Sequence, residues 1–500
     1  MNLNASRFKL VYFLFPMRGY WFRTAVMAGW IAPALIAADV PRTWRQSDVD
    51  ILEIPLANAK YSPVHIAEAA YYRIPERVIY KSYPVYRPGR EPAGYMEWLK
   101  QRDPEISFDA TTLKTSGDWV AAGEMVFNAP TSLTPMFFSA EDLLDPAFYD
   151  RGAMPVARDG TIPFARWVVR RRGVVELGSM ACATCHTRVL ADGTVVAGAQ
   201  GNNPNDRQGA NMLRSAARAM GTTKVLERAL GFARQFEIPW LSADPNRQTR
   251  DFSLEDFIAA GEAIPAGVSA RANTSMLLPP QTPDLIGVRD KRYLDHTGLV
   301  RQSGIGDLMR YSSLAQDVFS ASRYGEVEAH GTPGIRYSDA QLFALAEYLY
   351  SLTPPPNPNG ASKRGEEIFQ KEGCGRCHPA PLYTNNKLSP VDGFAPSVPN
   401  GDAMTERVGT DPRYALATRK GTGYYKVPSL KGAWYRGPFG HDGAAATLEE
   451  WFNPARLNSD YIPRGFKGAD GKNRSIPGHT FGLRLSPADR QELISFLKTL

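Results

Sequence analysis

Two five-residue stretches, Cys182-Ala-Thr-Cys185-His186 and Cys374-Gly-Arg-Cys377-His378, use all four cysteines of a 500-residue chain. Two thiols separated by two residues and followed at once by an imidazole have the spacing of c-type haem attachment. In that chemistry the thiols add across porphyrin vinyls and the histidine binds iron from one face. A zinc half-site and a redox dithiol are the competing readings. Zinc needs a further pair of ligands, and a redox Cys-x-x-Cys has no use for the histidine twice over. The spacing therefore predicts two covalently bound haem c groups, attached at Cys182, Cys185, Cys374 and Cys377, with His186 and His378 as iron ligands.

The elements that must position these motifs read as a repeat. Arg172-Gly173 stands as far before Cys182 as Arg364-Gly365 stands before Cys374. Downstream, Thr282-Pro-Asp-Leu-Ile-Gly287 leads to His296 and Gly298, and Val427-Pro-Ser-Leu-Lys-Gly432 leads at the same interval to His441 and Gly443. Each copy closes on an amphipathic helix, Ser338 to Leu352 and Ser486 to Leu500. Both serines read as N-caps, Pro487 as the first helical residue, and Leu345/Leu493, Leu349/Leu497 and Leu352/Leu500 as one apolar face. The proline-rich stretch 353–360 reads as a stiff linker. These signals predict a mainly α fold with two cytochrome c-like haem domains, 166–352 and 361–500. The first carries an insertion at 187–282, whose helical patterns at 211–220 and 224–236 would form either a wall beside the first haem or a surface hairpin. Residues 39–165 read as an irregular N-terminal extension packing on the haem domains, and its lone His65 as a satisfied or surface residue rather than a distal ligand.

With 43% hydrophobic and 22% charged residues the chain is globular in composition, and its formal charge of +7 is spread along the sequence. Arg170-Arg171-Arg172 is too short a basic run to imply nucleic acid. Residues 1–38 are basic and then apolar and end in small residues, which predicts a secretory signal and a periplasmic protein. An uncleaved N-terminal anchor is the alternative, and Met17 is an alternative start. Export agrees with haem attachment outside the cytoplasm, and no cysteine is left over for a disulfide.

The two haem motifs, with Tyr425-Lys-Val-Pro-Ser-Leu-Lys-Gly-Ala-Trp-Tyr-Arg-Gly-Pro-Phe-Gly-His-Asp-Gly443 and Thr447-Leu-Glu-Glu450, resemble the di-haem cytochrome c peroxidase superfamily, which includes MauG and, more distantly, the di-haem rubber oxygenases. The resemblance covers roughly 165–500. It implies one electron-transfer haem, one open haem reacting with peroxide or oxygen, and a small redox protein or quinol-linked donor. It also implies calcium, although Arg436 stands where a threonine ligand would be.

Departures from the family pattern assign further residues. Family peroxidases carry a methionine ligand to the second haem shortly after the histidine matching His441. Here Leu448-Glu-Glu-Trp-Phe-Asn-Pro-Ala455 has none, and His441 matches a family histidine that is not a ligand. His479 becomes the expected sixth ligand of the second iron, giving a bis-histidine electron-transfer haem. Gly331 aligns with His479, which leaves the first iron open unless the neighbouring His330 reaches it. His296 stands where those peroxidases keep a tryptophan between the haems. It reads as an electron or proton relay, a first-haem ligand, or a packed residue. Gln316 and Asp317 are the candidates for the distal acid–base group. The expected function is a periplasmic di-haem oxidoreductase of peroxidase or oxygenase type. The alternative is a non-catalytic two-haem electron carrier, in which His330 or His296 closes the first iron.

Overall fold

Four glycine-, proline- and cap-defined helices set the frame of the computed structural model. It describes residues 39–500 apart from 63–64, 134–136, 235–236, 238–240, 242–243, 271–275, 317–334, 397–400 and 469–473. The expected signal, 1–38, lies outside the described residues. The longer helices are α1 (Ser116–Asn128), α2 (Asn205–Met220), α3 (Thr222–Ala233), α4 (Leu254–Ala263), α5 (Ile305–Gln316), α6 (Asp339–Ser351), α7 (Lys363–Lys371) and α8 (Pro487–Lys498). Among the described residues no helix is long and apolar enough to cross a membrane.

Two helix crossings frame the two cysteine motifs. α1 packs on α6, and α7 packs on α8. The caps follow from sequence: the Ser338 and Ser486 side chains accept from the backbone N–H of Gln341 and Asp489, and Pro487 opens α8. Leu345, Leu349, Leu493 and Leu497 are all buried, so the apolar faces read from their spacing are the packed faces. Each crossing turns on a glycine. A Cβ at Gly123 would overlap the Ala344 carbonyl and the Tyr348 side chain, and one at Gly365 would overlap the Glu492 carbonyl and the Phe496 side chain. Alanine at an ordinary helical site stabilises by about 1 kcal/mol over glycine. Here the overlap reverses the sign, and Gly365→Ala is expected to destabilise by about 1–3 kcal/mol, checked by denaturant unfolding.

Three expectations need correction. The fold is mixed rather than mainly α, because an antiparallel sheet of β1 (Ser82–Tyr86), β2 (Thr161–Arg171) and β3 (Val174–Gly178) stands beside the helices. Alternate residues of β2, Ile162 and Phe164, with Trp167 and Val169 past an irregularity, bury against Phe138, Phe148 and Tyr149 to make a separate core. Three two-stranded pairs complete the strands: β4 (Thr187–Val189) with β5 (Val195–Ala197), β6 (Tyr293–Leu294) with β7 (Val300–Arg301), and β8 (Leu388–Pro390) with β9 (Tyr424–Lys426). Second, 39–165 is not wholly irregular, since α1 lies within it. Thr115 and Asp118 form its capping box, and Trp119, Ala122, Gly123, Val126 and Phe127 form a buried stripe. Third, Gly173 and Gly365 are not equivalent. Gly173 turns the β2–β3 hairpin with φ 84°, whereas Gly365 lies in α7.

Within 187–282, Gly221 (φ 88°) joins α2 to α3, and α4 packs against both. Residues 353–360 carry neither helix nor strand.

Candidate functional site

The first motif forms a single helical turn, Cys182–Cys185, entered from an extended Ala181. Buried Thr184 ties it down: its hydroxyl accepts from Ala181 N at 2.9 Å and donates to the Phe164 carbonyl at 3.1 Å. His186 Nδ1 lies 3.0 Å from the Pro283 carbonyl. A carbonyl only accepts, so Nδ1 carries the proton and Nε2 keeps the lone pair, the tautomer a metal ligand needs. The N-terminal end of α2 reaches this turn, with Asn205 Nδ2 at 3.5 Å from Cys185 Sγ.

The second motif repeats the logic on a 3₁₀ turn, Cys374–Arg376, after Gly373 in the left-handed region. His378 Nδ1 lies 3.1 Å from the Tyr383 carbonyl, which again leaves Nε2 as the basic nitrogen. None of the four cysteines is in a disulfide. Burial pushes the Cys374 thiol up to about 11, the opposite of the lowered pKa that makes a redox dithiol reactive.

A cavity of about 1150 Å³ opens beside this motif. It is at the upper end of the size that binds an organic cofactor. Cys374, Cys377 and His378 line one side, with Phe369, Leu493 and Phe496 among the apolar walls. Across it stands His479, its ring centre 6.5 Å from that of His378. Two imidazoles on opposite faces of one metal, each nitrogen about 2 Å away, need ring centres roughly 6 Å apart. Burial, with repulsion from His378 and Arg456, lowers His479 to about 4, so the ring stays neutral and able to ligate.

The loop carrying His479 is built rather than incidental. His479 adopts φ 42°, a conformation that costs a non-glycine residue roughly 1–2 kcal/mol. Arg456, with none of its surface exposed, holds it there. Nε donates to the Trp451 carbonyl at 2.6 Å, Nη1 to the Ile476 carbonyl, and Nη2 to those of Gly478 and His479, each at 2.9 Å. A Cβ on Gly478 would collide with the main chain at Gly409, so the two loops meet backbone to backbone.

A second constellation lines the same cavity. His296 Nδ1 sits 2.7 Å from Asp295 Oδ1, Lys420 Nζ sits 2.6 Å from Asp295 Oδ2, and the Tyr311 hydroxyl donates to the same oxygen at 3.0 Å. His296 Nε2 is buried without a hydrogen-bond partner. Burial alone would raise Asp295, but the Lys420 ammonium and His296 outweigh it and hold the carboxyl well below the usual range. Lys426 N donates to the His296 carbonyl at 3.2 Å, joining the strands that follow the second motif to the segment that follows the first. His441 stacks on Tyr425 with ring centres 3.7 Å apart, and burial lowers it to about 3. Its Nε2 also lacks a partner. Tyr414 stands between the two histidines, 6.5 Å from His296 and 6.0 Å from His441.

The remaining expectations fall as follows. Gln316 ends α5, and Asp317, His330 and Gly331 lie outside the described residues. His65 packs between Glu53, at 2.9 Å, and Trp44, off the cavity wall. Of the insertion, Asn205 at the start of α2 meets the first motif at Cys185, and none of the residues of α2, α3 or α4 lines the cavity beside the second. Arg436 donates to the Ser429 carbonyl at 2.9 Å. Sequence reasoning passed over Asp295, Lys420 and Arg456. The dipeptide Asp295-His296 was the available signal for the first, and nothing local marks the other two. It also passed over Tyr337 and Arg77. These are stacked cation on ring at 5.1 Å, each has a buried donor lacking a partner, and Tyr337 lies within electrostatic reach of Cys182.

The paired thiols, the two imidazoles with Nε2 left basic and the facing His479 are the residue types that haem c attachment uses. No protein-family model matches the chain. Cytochrome-c peroxidase IdrP1 of Pseudomonas sp. (strain SCT) is 27% identical over an alignment 161 residues long that covers 28% of this chain and 40% of that protein; the chain thus spans about two fifths of the length of this curated relative. Among solved structures, hydrazine synthase of Kuenenia stuttgartiensis is 19% identical, with 54% of this chain and 86% of that chain covered and a TM-score of 0.28. A MauG-like protein associated with microbial copper homeostasis is 18% identical, with 54% and 84% covered and a TM-score of 0.29. Those two likenesses are too slight to carry structure or function across. The chain resembles the di-haem cytochrome c peroxidase superfamily.

Proposed function

We propose that the protein is an exported, periplasmic di-haem c-type oxidoreductase, acting on peroxide or oxygen at the first motif and passing electrons at the second, where a small redox protein or quinol-linked partner donates. The observation that carries this reading is the His479 ring 6.5 Å from that of His378 across the cavity, which supports a second site whose two axial positions would both be taken by histidine. Haem c held by each motif supplies one-electron iron chemistry.

The chain's own residues do the rest. His186 and His378 present Nε2 because their Nδ1 protons are committed to the carbonyls of Pro283 and Tyr383. Arg456 keeps His479 in place, and Phe369, Leu493 and Phe496 give the second site apolar walls. Asp295 Oδ1 sits 2.7 Å from Nδ1 of His296 and orients the ring, so Nε2 is the end it offers as the proposed electron or proton relay. Gln316 and Asp317 remain the candidates for the acid–base group of the first site. The order of parts is an N-terminal segment, a first cytochrome c-like module with its insertion, the 353–360 linker and a second such module.

Pyridine haemochrome absorbance of the purified protein is expected to give two haems per chain. Carbon monoxide or cyanide is expected to bind one haem and be refused by the other. Refusal by both would leave only the electron-carrier function, and absence of haem would end the reading.

A further inference from the structure

The cavity that holds His378 and His479 extends to a group of cations with too few anions. Lys291 and Lys426, the last residue of β9, line it together with Arg436. Among the described residues neither lysine forms an ion pair. Lys291 Nζ donates to the main-chain carbonyl of Asp284, and Lys426 Nζ lies 3.5 Å from that of Tyr293. Arg436 Nε is buried without a hydrogen-bond partner.

The carboxylate facing the group, Asp284, is already engaged. Its Oδ1 accepts from Ile286 N at 2.9 Å, and its Oδ2 accepts from the Tyr435 hydroxyl at 2.8 Å, leaving Arg436 Nε at 3.9 Å. Asp290 and Asp295 act only at longer range, and Asp295 is spoken for by His296 and Lys420. Both lysines are half-buried and line the cavity. Burial lowers Lys291 to about 8 and Lys426 to about 7, the second pressed further by the first. A buried cation without a counterion costs several kcal/mol; Asp284 still acts on Lys291, but Lys426 feels Lys291 more than it feels Asp295, so this wall calls for a further anion in the working protein.

The shape of the space says which anion. Cys374, Cys377, Phe369, Leu493 and Phe496 line the same cavity as Lys291, Lys426 and Arg436, which suits an apolar body that carries carboxylates. A small free anion would meet only the cations. Resting on the di-haem reading above, we propose that Lys291, Lys426 and Arg436 receive the propionate carboxylates of the haem carried on Cys374–His378. The protein's own cations then neutralise the propionates and raise that haem's reduction potential.

The test compares full-length holoprotein with Lys426→Met and Lys426→Arg, reading haem content, midpoint potential by spectroelectrochemistry and melting temperature. Lys426→Met is expected to lower the potential of one haem, since losing a nearby positive charge favours the ferric state, and to lower the melting temperature. Lys426→Arg is expected to keep both near wild type. An unchanged potential at full haem content overturns the proposal. A raised melting temperature in Lys426→Met also overturns it, because the lysine was then an unpaired burden. If Lys426→Met takes up no haem, loading of Lys426→Arg supports the proposal and its failure to load overturns it. A wild-type potential that moves on adding acetate at constant ionic strength means that a free anion fills the site, and overturns the assignment. Wild-type protein without haem defeats the di-haem reading instead, so the two failures are distinguishable.

Discussion

Replacing Asp295 with asparagine is expected to cost about 3–5 kcal/mol of stability, because it removes the anion from a buried group and leaves a cation behind. The Asp295 and Lys420 side chains are each 6% exposed, and the ammonium lies 2.6 Å from the carboxylate. Asparagine keeps the shape and one acceptor but not the charge, so the Lys420 ammonium loses the carboxylate that lies 2.6 Å from it. The pH dependence fixes the mechanism. The folded-state pKa of Asp295 is depressed, so its contribution is full above the unfolded value of about 3.9 and is lost as pH falls through the folded value. Denaturant unfolding of both proteins is expected to show the full gap at neutral pH, narrowing below about pH 4. A gap independent of pH would mean that asparagine acts through packing instead.

The second large effect is expected at His479. Glycine is the informative replacement, because the residue sits at φ 42° and glycine adopts that conformation without strain. His479→Gly is expected to convert half of the total haem from a low-spin form that refuses carbon monoxide to a high-spin form that binds it, with added imidazole restoring the original spectrum. Cavity loss and strain relief oppose one another, so stability should change little beside the spectral change. A low-spin spectrum in the variant would remove His479 as the ligand and leave its approach to His378 without a role.

The legible parts of this chain are those written in local chemistry. The two motifs, the caps at Ser338 and Ser486, and the leucine stripes of α6 and α8 were readable because each depends on residues within a turn or two of one another. His479 emerged by comparing loops, and it does face His378. α1 was as plainly signalled, by the Thr115 and Asp118 box and the stripe from Trp119 to Phe127, but its distance along the chain from Cys182 hid its partnership with α6. Matching Gly173 to Gly365 failed for the converse reason: the same dipeptide and spacing served a hairpin turn in one place and a helix crossing in the other. Asp295, Lys420 and Arg456 act across the fold, through partners such as Asp295 with Lys420 that only tertiary structure brings together.

The wall of the cavity formed by Leu493, Phe496 and Leu497 comes from α8, far downstream of Cys374 and Cys377. A polypeptide emerging N-terminus first exposes its attachment cysteines well before that wall exists. The cofactor proposed for this cavity would be walled in only once α8 docks, which ties its loading to the packing of that helix.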